Sequence, residues 1–155
     1  MLDLGLKKET IMNVLAWIIC VAVCMGTLVV SSRSRAGVVL ASAVASIIGG
    51  MALVTLLGLV LKEMNVHLSH GSLTALFQLL MSVVTIALLN IMNLAVRGMI
   101  AAQTSFHTKY NASNLRRFPV NLVIDHAQRI RLVSAAFWGA GSLVMFYGIW
   151  FKMTV

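Results

Sequence analysis

Acidic residues are nearly missing from this sequence. Its 155 residues include four Asp and Glu against twelve Lys and Arg, and charged residues of both signs make up only 10% of the chain. A soluble domain carries about 25% charged residues, so this chain has too little polar surface to dissolve as a globule. The carboxylates Asp3, Glu9, Glu63 and Asp125 are scattered, which leaves no pair spaced for general acid/base work. Proline occurs once, at Pro119, and no low-complexity linker divides the chain, so a single unit is expected. Cys20 and Cys24 are the only cysteines. They stand i, i+4 on one apolar run, a poor geometry for a disulfide, and are expected to pack as small apolar side chains. The alternative for them is a soft-metal pair. No strand pattern, no glycine-rich phosphate loop and no nucleophile beside a base is present.

What the chain does have is long apolar runs. Hydrophobic residues make up 60% of it, with a mean hydropathy of +0.96. Four runs are each about long enough to cross the hydrocarbon of a bilayer: residues 11–30, 37–61, 73–96 and 132–151. The expected fold is therefore all-α, an integral membrane protein of four transmembrane helices over residues 1–155. "MLDLGLKKET" before the first run is short and mixed, suited to the membrane surface. Lys7 and Lys8 ahead of an apolar run also suit a signal peptide. The run exceeds a usual signal core, however, and the basic "SSRSRAG" behind it favours a retained helix. No lipoprotein cleavage box fits, since Val23 precedes Cys24. The short link after the first run demands an antiparallel hairpin with the second.

Four spans put both termini on one face. That face carries Lys7, Lys8, Lys62 and Lys152, while the other carries Arg33, Arg35, Arg97, Lys109, Arg116, Arg117, Arg129 and Arg131. The excess of basic residues marks the second face as cytoplasmic. The expected location is the bacterial inner (cytoplasmic) membrane, with the termini on the non-cytoplasmic side. A positive balance of this kind orients membrane spans, and no module for reading nucleic acid accompanies it.

Small residues form the sharpest pattern. Gly37, Ala41, Ala45 and Gly49 recur every four residues in the second run, with Ser42, Ser46 and Gly50 beside them. The fourth run carries a weaker version with Ala135 and Gly139. Lipid offers no hydrophobic drive for helices to associate, so close backbone approach and interhelical hydrogen bonds hold them together. Such a stripe serves either the chain's own neighbouring helices, the first expectation, or a helix of another subunit.

The third run is the most polar of the four. Gln78, Ser82, Asn90, Asn93 and Arg97, with Thr74 and Thr85, trace one side of a helix. That side must avoid lipid, because an unpaired amide in hydrocarbon costs several kcal/mol. It is expected either to bond neighbouring helices or to line a hydrophilic path. Arg97 is near enough to the end of the span for its stem to reach headgroups, and Asn90 lies about 10 Å deeper. No Asp, Glu, His or Lys interrupts the middle of a span, which argues against a proton-coupled pump.

Residues 101–131 form the longest polar section. Pro119 suits a helix start, and Leu122, Val123, Ile124, Ala127, Ile130 and Val133 keep helical spacing into the last span. An interfacial amphipathic helix is expected there, with Arg116, Arg117, Arg129 and Arg131 meeting anionic headgroups or docking a larger partner. "NAS" at Asn111 matches a glycosylation sequon but falls on the cytoplasmic face. His67 and His70, with Glu63, have helical spacing for a metal. A solvated loop is the stronger expectation for them, and no metal or cofactor is expected.

A non-catalytic subunit or accessory of a larger membrane assembly, such as a secretion, transfer or respiratory complex, fits these features best. Its expected partners are membrane lipids and other membrane subunits, or further copies of itself. A small oligomeric channel or transporter built on the third run's polar face is the first alternative. A membrane immunity or exclusion protein is another. Enzymatic function is not expected.

Overall fold

The structure, a computed structural model, describes residues 2–64 and 68–153, with side chains described from residue 9 onward. The side chains of Leu2, Leu4, Leu6, Lys7 and Lys8, and the whole of His67, therefore lie outside the described residues. The chain is all-helical, and four of its helices are long and apolar enough to cross a membrane. In order they are α1 (Leu2–Arg33), α2 (Ala36–Glu63), α3 (His70–Tyr110), a short 3-10 turn (Ala112–Arg116), α4 (Val120–Asp125) and α5 (Ala127–Phe151). This is an integral membrane protein.

α1, α3 and α5 pack on one another, and α2 packs on α3. Side-chain bonds fix the directions. Thr27 and Ser31 of α1 and Ser34 just past its end meet Asn90, Asn93 and Arg97 of α3 in rising order, so these two helices run parallel. α5 runs against both: the Trp17 indole donates to the Leu143 carbonyl at 3.1 Å, and Gln78 near the start of α3 reaches Met153 past the end of α5. The core is built from Cys20, Cys24, Leu28, Leu89, Phe146, Ile149 and Trp150. Both cysteines are buried free thiols within it.

α3 is the longest element. Its 41 residues span about 62 Å at 1.5 Å per residue, twice the hydrocarbon thickness of about 30 Å. It continues well past Val96, where the apolar run ends. "AAQTSFHTKY" contains neither Gly nor Pro to stop it, and Thr104 and Thr108 bond back to carbonyls one turn earlier. At the other end Ser69 caps it, accepting from the Ser72 backbone N–H at 3.2 Å. The first span likewise begins earlier than its apolar run, because "LDLGLKKET" forms the first turns of α1.

Pro119 stands at the N-terminal boundary of α4. The helical spacing that continues into the last span is divided between two helices, since the chain turns at His126, with φ −110° and ψ 15°. Asn111 ends α3, and its Oδ1 accepts from the Ser113 hydroxyl at 3.1 Å.

The small-residue positions part company. In α5, Ala135 is half-buried and Gly139 fully buried; a Cβ on Gly139 would press on the thioether of Met25 in α1. In α2 the outcome differs from the first expectation: Gly37, Ala41, Ala45 and Gly49 are all exposed. The helix turns Val39, Ala43 and Gly50 to α3 instead, with Leu80 Cδ1 at 3.3 Å from the Cβ position of Gly50. At about 100° per residue, the stripe lies on roughly the opposite side of α2 from that contact. The intramolecular contact sets small residues of α2, Ala43 and Gly50 among them, against branched side chains of α3, Leu80 and Val83.

Gly139 tests this packing. Gly139→Leu is expected to lower stability by about 1–3 kcal/mol through overpacking, read as a fall in thermal midpoint in detergent. Gly139→Ala is expected to cost little, because the tip of Met25 is flexible and can move aside. Met25→Ala in the Gly139→Leu background should recover part of the loss. A Gly139→Leu chain as stable as wild type would show that α1 and α5 are not this close.

Candidate functional site

Two features qualify as sites: the polar side of α3 and a groove beside it. The polar side is consumed within the bundle. Gln78 and Ser82 face the end of α5. The Trp150 indole donates to Ser82 Oγ at 3.1 Å, Ser82 in turn donates to the Gln78 carbonyl at 2.8 Å, and Gln78 Nε2 donates to the Met153 carbonyl at 3.3 Å. Further along, Asn90 Nδ2 donates to Thr27 Oγ1 at 3.0 Å and to the Ile86 carbonyl at 2.9 Å. Asn93 Nδ2 reaches Ser31 Oγ at 3.4 Å. Gln78, Ser82, Asn90 and Asn93 are buried, Asn93 to 2% exposure.

Arg97 is half-buried and does not simply extend to headgroups. Its guanidinium donates to the carbonyls of Ser31 and, at 3.0 Å, Ser34. These oxygens stand at the C-terminal end of α1, where the last helical carbonyls lack intrahelical partners and the helix dipole is negative. Arg97 thus caps a helix other than its own. The other half of this arrangement is not evident from the sequence. Thr27 and Ser31 on α1 and Ser34 just past its end stand at i, i+4 and i+7, a face-forming spacing, but in sequence Ser31 and Ser34 read as part of one basic link.

Asn90 retains one unanswered group: its Oδ1 is buried with no hydrogen-bond partner. Turning the amide over would not help, since the Ile86 carbonyl can only accept. This orphan oxygen offsets part of what the two Nδ2 bonds contribute.

The groove, about 630 Å³, lies between α1 and α2 with α3 as its floor. It exists because the two arms of the first hairpin, joined only by Ser34 and Arg35, both lean on α3 and do not pack along each other. Its hydroxyls come from Thr27, Ser31, Ser34, Ser42 and Ser46. Each donates to a carbonyl of its own helix or turn, at 2.8–3.0 Å. The wall therefore has no hydroxyl donor to spare and suits an apolar occupant better than a hydrated solute.

The remaining candidates are dispersed. Arg116, Arg117, Arg129 and Arg131 are exposed around α4 and the start of α5. Glu63 and His70 are exposed at the ends of α2 and α3. Among the described residues, no three His, Cys, Asp or Glu side chains converge as metal ligands. No family model matches the chain, and no curated protein or solved structure shows significant similarity to it.

The two ends of the polar ladder should respond differently to substitution. Arg97→Met leaves the α1 terminus without its cation and is expected to cost roughly 1–2 kcal/mol. Asn90→Leu loses two bonds but also removes a buried unpaired oxygen, so its cost should stay below about 1 kcal/mol. Reversible unfolding in mixed micelles measures both. Equal losses at the two positions would mean that Arg97 does not cap α1.

Proposed function

We propose that this chain is a non-catalytic integral membrane subunit, held in a larger assembly through the outer face of α2. One observation carries the proposal: Gly37, Ala41, Ala45 and Gly49 are all exposed, on the side of α2 turned away from α3. No atom lies within 4 Å of a Cβ placed on Gly37 or Gly49, apart from its own helix backbone and its immediate chain neighbours. Three consecutive small-xxx-small steps form a shallow surface on which a second backbone can approach closely. α2 also has no residue buried in its most apolar stretch, which leaves this face free for a helix of another subunit.

The oligomeric channel draws less support. The polar side of α3 that would line its pore is bonded to α1 and α5, and the groove beside it has no hydroxyl donor to offer. The expected location is the bacterial inner membrane, with both termini on the non-cytoplasmic side and the arginine-rich face in the cytoplasm. α4 then lies in the cytoplasmic interface, where Arg116, Arg117, Arg129 and Arg131 meet anionic headgroups.

Ala45→Leu and Gly49→Leu separate packing within the chain from assembly. Both should leave the thermal midpoint of the purified single chain unchanged, because neither side chain would meet the rest of the bundle. Both should release unlike subunits that co-purify with the wild type after gentle detergent extraction, as read by native mass measurement. A wild type that emerges as a closed ring of identical copies would instead favour the channel. Unchanged assembly in both variants would remove α2's outer face from the interface.

A further inference from the structure

A second cavity, of about 400 Å³, opens where α3 leaves its apolar run. Met99 and Ile100 of α3, Val123 and Ile124 of α4 and Ile130 of α5 give it apolar walls, with the Gln103 carboxamide as its polar side chain. This volume is in the range of small-molecule sites, which are mostly apolar with few polar groups. Two features indicate what fills it.

The first is depth. The α3 residues lining the cavity run from Val96 to Gln103, the two turns just beyond the apolar run. That is the level at which hydrocarbon gives way to headgroups. Phe118 and Leu122, in and just before α4, are 80% and 49% exposed, so this region meets an apolar medium as well as water. The second feature is charge. Residues 101–131 hold five basic side chains and one acidic one, Asp125. Arg116 and Arg117 come shortly before the lining residue Pro119, and Arg129 and Arg131 flank the lining residue Ile130. All four arginines are exposed and form no ion pair within the described chain.

An apolar slot at headgroup level, with exposed arginines within two or three residues of its lining in the chain, matches an anionic amphiphile. A guanidinium presents its donors as a planar fork suited to phosphate oxygens, and basic residues at a membrane surface favour anionic lipid. We propose that this cavity is a binding site for an anionic phospholipid, with one acyl chain between α3 and α4 and its phosphate held by Arg117 and Arg129. The site is independent of the α2 face and of the assembly built on it.

The test uses the full chain in a neutral detergent, with phosphatidylglycerol or phosphatidylcholine of identical acyl chains added and bound lipid read by native mass spectrometry. The wild type should retain one phosphatidylglycerol in clear preference to phosphatidylcholine. Arg117→Gln with Arg129→Gln should weaken phosphatidylglycerol binding by about tenfold and bring it to the phosphatidylcholine level. Lys62→Gln with Lys152→Gln, on the opposite face, should change nothing. Val123→Trp, which fills the cavity, should abolish retention of either lipid. If that variant fails to fold, the exposed double arginine variant still decides the matter. Equal retention of the two lipids by the wild type would overturn the proposal, as would a phosphatidylglycerol preference that survives the arginine substitutions. Displacement of phosphatidylglycerol by equimolar oleate would overturn it too, because the site would then be built for a fatty acid.

Discussion

A hydrogen-bonding group inside a bilayer has to find its partner within the protein, and that requirement arranges this bundle. α3 carries more such groups than the other spans, and the helices around it are placed where those groups can be answered. One end of its polar side meets Trp150 and the Met153 carbonyl of the α5 end. The other meets Thr27 and Ser31 on α1 and Ser34 just past its end. Without these bonds the three helices would have only dispersion to set their relative register, because the lipid is as apolar as their side chains.

Arg97 shows how one side chain settles two problems. A cation at the edge of the membrane needs polar company, and the end of α1 needs donors for its last carbonyls. Bringing them together fixes the height of α1 against α3 and secures the start of the two-residue link to α2. The link is so short that α2 must begin close to Arg97. Even so, α2 leans on α3 rather than on α1, and the space left between the hairpin arms becomes the groove.

Much of the architecture was legible in the sequence for a simple reason. Four apolar runs and sparse charges leave few alternatives to a helical membrane protein. The polar side of α3 was also legible, because residues that must avoid lipid betray themselves by spacing. Two things were not. The length of α3 beyond Val96 depends on the absence of a stop signal, and hydropathy does not register an absence. The direction of the α2 stripe is hidden because small residues announce that a close approach is possible without saying to what. Val39 and Ala43, which do face α3, look unremarkable beside Gly37 and Gly49. The partners of Asn93 and Arg97 were hidden in "SSRSRAG", where serines that continue a helix face resemble serines of a loop.

The same bookkeeping of donors divides the four spans into two kinds. α1, α3 and α5 are joined by side-chain bonds that cross between helices. α2 contributes none among its described side chains: Ser42, Ser46 and Thr55 each return to a carbonyl of α2 itself. Its hold on α3 rests on contacts such as that of Gly50 with Leu80, which are short-ranged and carry little directional preference. A helix held in this way can slide or tilt at lower cost than one locked by amides and a guanidinium. It is also the helix that presents an unused small-residue face to the membrane. In lipid, where association depends on how closely two backbones can approach, the least constrained helix is the one best able to adjust to a partner.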